Sequence, residues 1–172
     1  MSTNEDKDII GFISKGEMDE FIESDFARPI YSQIKDKMAL QPNGIENHWH
    51  EHISHTPRRG HQILYVGDFT PNKNVCRVIK AIAQLREESE FADLKFVIVG
   101  GGRDKDGATL KMIESHPDFI EYLGKIYDKE RLASIMRQCT LFVMPSIHET
   151  FGLVYIEALS QNLPVIYSKG QG

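Results

Sequence analysis

Five short apolar segments alternate with helical patterns from residue 62 onward, and this alternation constrains the fold more than any other feature of the chain. The segments are Gln62–Val66, Leu94–Val99, Phe119–Leu123, Thr140–Met144 and Pro164–Tyr167. They are rich in β-branched and aromatic residues and show no polar alternation, which is typical of strands buried on both faces of a parallel sheet. Repeated β-α-β units therefore predict an α/β fold with a right-handed, doubly wound parallel sheet.

Amphipathic helices are predicted between these strands. Their ranges are 74–86, 108–115, 128–138 and 152–161. In the first of them, Val75, Val78 and Ile82 follow the i, i+3, i+7 spacing of one buried face. Asp128 is the N-cap candidate of the third.

The first 45 residues are less regular. Ile9–Ile13 is predicted to be a strand, and 37–41 a weak one. Ser14 and Glu17 have the spacing of a capping box, so a helix should run through Phe21.

Composition excludes several functional classes. The net charge is −5, with 20 basic and 25 acidic residues, which argues against a nucleic-acid binder. Clean apolar runs reach only about four residues, against about 20 for a membrane helix. The N-terminal MSTNEDKD has no secretory character. Cys76 and Cys139 are too far apart for a zinc knuckle and are predicted to be buried and reduced, so the expected location is cytoplasmic.

Residues 46–61 are polar, rich in histidine and predicted to form a loop. His48, His50 and His52 alternate, so an extended chain would place them on one face, where a metal site is conceivable. The favoured interpretation is a solvated linker with Trp49 packed against the domain. No metal ligand is predicted.

The loops that follow the strands are the places to look for a ligand, because open parallel sheets bind ligands at the carboxyl ends of their strands. These loops are 67–74, 100–103, 145–152 and 168–172, and each contains glycine. Backbone amides and helix N-termini there favour an anion such as phosphate. The triple glycine at 100–102 does not continue as G-x-G-x-x-G, because Lys105 stands at the last position. A tight turn without a ligand explains it about as well.

Two carboxylates flank the third of these loops. Glu149 lies in the loop and Glu157 in the helix that follows it. A carboxylate near a phosphate site suits a hydroxyl group, which donates hydrogen bonds to it. A ligand with phosphate in the middle and hydroxyl groups at both ends, such as a nucleotide sugar, fits this pattern. Without further information, solvated surface acids explain it equally well.

The stretch from residue 145 resembles the donor-binding half of GT-B glycosyltransferases of family 4, whose hallmark is two glutamates eight positions apart. The matching positions are Pro145, Ser146, Glu149, Phe151, Gly152, Glu157, Ala158, Pro164, Val165 and Ile166. Segments 41–45, 65–67 with 73–74, 97–100 and 122–126 also agree in order, so the resemblance covers about residues 8 to 172. It implies a Rossmann-like GT-B C-terminal domain.

The resemblance assigns a donor site to Gly67, Lys73, Gly101, Ile126, Glu149, Phe151, Gly152, Leu153 and Glu157. By it, Lys73 would neutralise the donor diphosphate, Glu157 would bind the ribose, and Glu149 would bind the transferred sugar as the catalytic residue. Residues 151–153 would offer backbone amides, and Ile126 would pack on the base. One position departs from the pattern, since Asp68 replaces an arginine that is frequent in the family.

That departure leaves three possibilities for the phosphate. Lys73 would act with the helix dipoles alone, or Arg103 or Lys169 would compensate for the missing arginine.

The resemblance thus implies the donor-binding half of a hexosyltransferase that uses a UDP-, GDP- or ADP-sugar and acts on a glycan, lipid or small acceptor with retention. No cofactor is expected beyond this substrate.

Residues 1–36 would be the tail of an acceptor domain and its connection, and 37–172 an incomplete donor domain. The acceptor domain would be missing, and any peripheral membrane contact would go through it. The fragment alone should bind a nucleotide weakly and transfer nothing. The alternatives are a non-catalytic nucleotide-binding module and a nucleotide-sugar epimerase of the same fold.

Overall fold

All five predicted apolar segments are strands of one parallel sheet in the computed structural model, which describes residues 9–55, 60–104 and 107–171. The chain divides into two compact units, with the boundary between residues 44 and 45. Within the described residues, no helix combines the length and the apolar character needed to cross a membrane.

The first unit contains a two-stranded parallel sheet and short helices. Its elements are β1 (Ile10–Phe12), α1 (Lys15–Glu23), α2 (Tyr31–Ile34) and β2 (Met38–Leu40). The Ser14 side chain caps α1 by accepting a hydrogen bond from the Glu17 amide at 3.1 Å. The Glu17 carboxylate reaches back to the Ile13 amide at 3.0 Å. Both predicted strands and the predicted helix are therefore confirmed.

The second unit holds the five-stranded sheet. Its strands are β3 (Gln62–Gly67), β4 (Lys95–Gly100), β5 (Ile120–Gly124), β6 (Leu141–Met144) and β7 (Val165–Tyr167). Its helices are α3 (Asn47–Glu51), α4 (Val75–Leu85), α5 (Ala108–Glu114), α6 (Lys129–Gln138) and α7 (Leu153–Ser160). The strand order is β5-β4-β3-β6-β7, which confirms the doubly wound, Rossmann-like α/β fold.

The core of this unit lies on the central strands. Leu64, Phe96, Ile98 and Phe142 are fully buried. Consecutive residues Phe96 to Val99 are all buried because helices cover both faces of the sheet. This is why these strands show no polar alternation in the sequence.

The strand order reverses at β3. The chain moves outward through β4 to β5, crosses back by α6, and continues on the other side of β3 with β6. The loops after β3 and β6 therefore begin at the reversal point, where ligands bind in folds of this kind.

The prediction of a loop over residues 46–61 is wrong for its first part, because α3 occupies Asn47–Glu51. Burial of Trp49, which is 1% exposed, anchors this helix to the core and stabilises it in spite of its polar neighbours. The prediction that Trp49 packs against the domain is confirmed. The expectation that an extended chain would align His48, His50 and His52 is also wrong, since a helix brings positions four apart together. Residues 56–59 of the predicted loop lie outside the described residues.

Both cysteines are free thiols. Cys139 is buried as predicted, whereas Cys76 is partly exposed. Cys76 lies at the start of α4 beside Thr109, at an Sγ to Oγ1 distance of 3.5 Å. Cys76 therefore packs against the core without being buried in it, and the prediction of a buried thiol is wrong for this residue.

Candidate functional site

The loops after β3 and β6 are joined to each other across the reversal point. The Asn72 side chain donates to the His148 carbonyl at 2.8 Å and accepts from the His148 amide at the same distance. The Ile147 amide donates to the Asn72 carbonyl at 2.8 Å, and the Asn74 side chain donates to the Pro145 carbonyl at 3.2 Å. These bonds fix the two loops that carry Lys73 and Glu149. Sequence reasoning missed the role of Asn72, because a polar residue in a loop carries no periodicity.

Lys73 and Glu149, which the sequence assigned to one ligand, are in direct contact. The Lys73 ammonium lies 2.5 Å from Glu149 Oε2. The two side chains are 20% and 14% exposed, so the pair is largely shielded from water while one side remains accessible. Glu149 is also held by its amide, which donates to the Gln171 side chain at 2.9 Å. A cation and a carboxylate are thus fixed side by side at the strand ends.

The glycines at the ends of β3 and β4 let the two strand ends approach closely. The Gly101 amide donates to the Gly67 carbonyl at 3.2 Å. A Cβ atom on Gly100, whose φ is +134°, would lie 1.8 Å from that carbonyl oxygen. A Cβ on Gly101 would lie 2.7 Å from the Tyr122 hydroxyl. Packing therefore requires glycine at 100, whereas at 101 the φ of +128° favours glycine and the end of the Tyr122 side chain could move aside. A ligand role for Gly67 and Gly101 stays a prediction.

The helices that follow β3 and β6 begin without a side-chain cap. Neither α4 nor α7 has a capping side chain in the described part of the chain, whereas Asp128 caps α6 by accepting from the Arg131 amide at 2.7 Å. Gly152, with φ of +63°, precedes α7. The Leu153 amide at the start of α7 therefore keeps its donor capacity and partial positive charge, whereas the Tyr155 amide donates to the Gly152 carbonyl at 2.8 Å. Phe151 and Leu153 are half-buried.

Asp68, the departure from the family pattern, is engaged within its own loop. Its Oδ1 accepts from the Thr70 amide at 3.1 Å and from the Thr70 hydroxyl at 2.7 Å. Its Oδ2 lies 3.8 Å from the Arg103 guanidinium, so Arg103 offsets the negative charge at this corner. Burial, and then the Asp68 charge, raise the pKa of Tyr65, whose hydroxyl donates to the Asp68 carbonyl at 2.5 Å.

Glu157 lies in the second turn of α7, where it is half-buried. Burial raises the pKa of this carboxyl group above its ordinary value of 4.5, and the Glu46 charge raises it further, while Lys129 lowers it. Lys129 pairs with Glu46 at the start of α6. Ile126, in the loop just before α6, is half-buried against the core. The predicted ribose and base residues therefore border the same end of α6.

Replacing Glu157 with glutamine should stabilise the protein at neutral pH. The folded state raises the pKa of Glu157 and therefore favours its protonated carboxyl group. The stability that the protonated form contributes is lost as the pH rises through the pKa of the folded state. A glutamine side chain does not titrate. We therefore expect a higher melting temperature for Glu157→Gln than for the wild type at pH 7, and no gain at pH 4. Calorimetric melting of both proteins at both pH values checks this; an equal gain at the two pH values would contradict the burial argument.

Removing the Asn72 side chain should loosen the junction of the two loops. Asn72→Ala deletes two hydrogen bonds and leaves the His148 amide and carbonyl without these partners, which we expect to lower the free energy of unfolding by about 1–3 kcal/mol. Asn72→Asp is the matched control, because it keeps the acceptor for the His148 amide. Urea unfolding should rank the wild type above Asp and Asp above Ala. If Ala lost nothing, these bonds would not be what holds the loops.

Comparison with known proteins agrees with this arrangement. The family model described as glycosyl transferases group 1 matches residues 50–172. An uncharacterized glycosyltransferase of Methanocaldococcus jannaschii is 34% identical over 110 residues, which are 63% of this chain and 29% of that protein. The GtfA subunit of a Streptococcus pneumoniae UDP-N-acetylglucosamine–peptide N-acetylglucosaminyltransferase is 26% identical over 166 residues, 95% of this chain and 31% of that protein.

Solved structures show the same fold. WaaG, a glycosyltransferase involved in lipopolysaccharide biosynthesis, superposes with a TM-score of 0.71 at 20% identity, covering 94% of this chain and 44% of WaaG. The pneumococcal O-GlcNAc transferase GtfA in complex with UDP and GlcNAc superposes with a TM-score of 0.60 at 21% identity, covering 84% of this chain and 28% of GtfA. The chain thus spans less than half the length of each of these relatives.

Proposed function

Because this chain belongs to the glycosyl transferases group 1 family, we propose that it is the donor-binding part of a glycosyltransferase. It would bind a nucleoside-diphosphate sugar and present a hexose-type sugar for transfer, with retention, to a glycan, lipid or small acceptor. The observation that carries this proposal is the contact between Lys73 and Glu149 where the strand order reverses.

The diphosphate would bind between Lys73 and the uncapped start of α7. An incoming phosphate competes with Glu149 for the ammonium group, since both are anions that accept hydrogen bonds from it. Donor binding would therefore release the Glu149 carboxylate from its partner. The freed carboxylate can then accept hydrogen bonds from sugar hydroxyl groups next to the phosphate, which orients the anomeric carbon for transfer. On this account the ion pair keeps the site assembled before the donor arrives.

The nucleoside would extend from the diphosphate toward α6. Glu157 would accept hydrogen bonds from the ribose hydroxyls, and Ile126 would pack on the base. UDP-, GDP- and ADP-sugars all fit these contacts, because neither residue distinguishes one base from another. The structure of the related GtfA contains UDP, whereas the names of the mannosyltransferases among the relatives specify a sugar and no base.

The acceptor would bind to a further domain. Residues 1–36 would then be the tail of that domain and its connection, and 37–172 the donor domain. The relatives are about three times longer than their region of similarity to this chain, which leaves room in them for such a further domain. The 172 residues alone would bind a donor weakly without completing transfer.

Calorimetric titration of the chain with UDP, GDP and ADP tests the proposal. We expect saturable binding of at least one nucleotide and at least about tenfold weaker binding to Glu157→Ala, since a lost charged hydrogen bond costs about 1.5–3 kcal/mol. Glu88→Ala is the control, because Glu88 is exposed and lies 69 positions from Glu157 in the sequence. It should bind nucleotide as the wild type does. Absence of binding to all three nucleotides would favour a non-catalytic interaction module of the same fold. Sugar epimerisation by the chain would favour the epimerase, and robust transfer would contradict the division into two domains.

A further inference from the structure

We propose that His48, His52 and Glu130 form a binding site for a divalent metal ion of the zinc class. Each of the three side chains offers one potential ligand atom, and these three atoms all lie within 4.8 Å of one another. Two imidazoles with one carboxylate suit zinc and its neighbours in the transition series, and are a poor match for magnesium or calcium. The site would join α3 to α6, and it does not involve Lys73 or Glu149.

The two histidines are brought together by α3. They are four positions apart, and their rings stack with centroids 4.5 Å apart at an angle of 30°. Nδ1 of His52 lies 2.9 Å from the His48 carbonyl oxygen, so this nitrogen carries the proton and donates to it. The lone pair of the neutral ring is then on Nε2, as metal binding requires.

His48 presents an atom that needs a partner. Its Nε2 is buried and makes no hydrogen bond with any part of the chain that the structure describes. A buried polar atom left unpaired destabilises the folded state. This atom lies 3.8 Å from Glu130 Oε2, which is too long for a hydrogen bond but close to the separation of two ligands on one metal ion. A bound cation would satisfy both atoms.

Glu130 and the backbone carbonyl of His52 are connected by one set of hydrogen bonds. Arg137 donates to Glu130 Oε1 at 3.0 Å, which leaves Oε2 directed at His48. Arg137 also donates to the Gln161 side chain at 2.8 Å, and Gln161 donates to the His52 carbonyl at 3.0 Å. Supporting hydrogen bonds of this kind orient the ligands of metal sites in proteins.

Binding requires the His52 and Glu130 side chains to rotate, because the two imidazole rings are stacked and the ligand atoms lie further apart than on one metal ion. Tetrahedral zinc with bonds of about 2.0–2.1 Å separates its ligands by about 3.3 Å. The observed separations are at most 4.8 Å. Rotation of the His52 and Glu130 side chains, which lie at the surface, would shorten them to this value. A water molecule would complete the coordination.

Zinc titration of the tag-free 172-residue chain, after treatment with a chelator, tests the site. Competition with a chromophoric chelator should show one ion per chain bound with a micromolar or lower Kd. We expect His52→Ala and Glu130→Gln each to raise this Kd more than about tenfold. His50→Ala, on the same helix but outside the cluster, is the control and should leave it unchanged.

Thermal melting gives a second measurement that does not depend on the chelator. Zinc at 100 times its Kd should raise the melting temperature of the wild type and of His50→Ala, but not of His52→Ala, because a ligand stabilises only the fold that binds it. His52 is exposed, so its replacement should leave the fold intact even if His48→Ala, beside buried Trp49, does not fold. The proposal would be overturned if the wild type bound zinc no more tightly than His52→Ala does. It would also be overturned if His50→Ala weakened zinc binding as much as His52→Ala does.

Discussion

Lys73→Ala is expected to weaken nucleoside-diphosphate binding by about tenfold to a hundredfold. The Lys73 ammonium is the cation fixed at the reversal point of the sheet, and hydrogen bonds from a charged donor contribute about 1.5–3 kcal/mol each. The same substitution removes the partner of the Glu149 carboxylate, which is only 14% exposed, so the fold should also lose stability. Isothermal calorimetry measures the first effect and urea unfolding the second.

A double variant separates these two effects. Lys73→Ala with Glu149→Gln removes both charges, so it should regain much of the stability that Lys73→Ala loses, while nucleotide binding stays weak. Lys80→Ala is the matched control for charge, because Lys80 is exposed on α4, the helix that follows the loop of Lys73. Equal weakening by Lys80→Ala would mean that general electrostatic attraction, and not a positioned ammonium group, binds the nucleotide.

Gly100→Ala is expected to destabilise the second unit by more than about 3 kcal/mol, a large part of the total for a domain of this size. The added Cβ would lie 1.8 Å from the Gly67 carbonyl oxygen, which belongs to the neighbouring strand and cannot move without breaking the register. The φ of +134° adds strain for any residue with a side chain. Urea unfolding followed by circular dichroism checks the loss, and failure to fold at all would agree with it.

Gly124→Ala provides the control for backbone strain alone. Gly124 has φ of +67°, but a Cβ there meets no atom within 4 Å. Its replacement should cost about 1–2 kcal/mol, the usual penalty for a left-handed residue with a side chain. If Gly100→Ala cost no more than Gly124→Ala, the close approach of β3 and β4 would not be the reason for glycine at this position.

The sheet could be predicted from the sequence because burial on both faces leaves a direct mark in it. Segments such as Phe96–Val99 lack polar residues, and Asp128 stands at the N-cap where the helical period begins. The family resemblance assigned Lys73 and Glu149 to one donor, but their direct contact was not predicted, because it depends on β3 and β6 being neighbours in the sheet. The roles assigned to the individual donor-site residues stay predictions.

Other features left no periodic signal. Helix α3 has five residues, too few for an amphipathic pattern. Its stability comes from burying Trp49 in the core, among residues distant in the sequence. The contact of His48 with Glu130 joins positions 82 residues apart, and only the packing of α3 near α6 creates it. Asn72 is similar, because its partners lie 76 positions further on. Such contacts depend on tertiary structure, which local propensity does not encode.

Mapping backbone amide shifts of the ¹⁵N-labelled chain during titration with UDP, GDP and ADP tests the central claim most directly. The claim predicts saturable shifts at Gly101, Gly152 and Leu153, in the loops at the carboxyl ends of the strands, with the amides of α1 unchanged. These shifts should be much smaller in Lys73→Ala at the same nucleotide concentration. Shifts confined to other surfaces, or no shift at these three amides at saturation, would contradict the assignment of the donor site to the carboxyl ends of the strands.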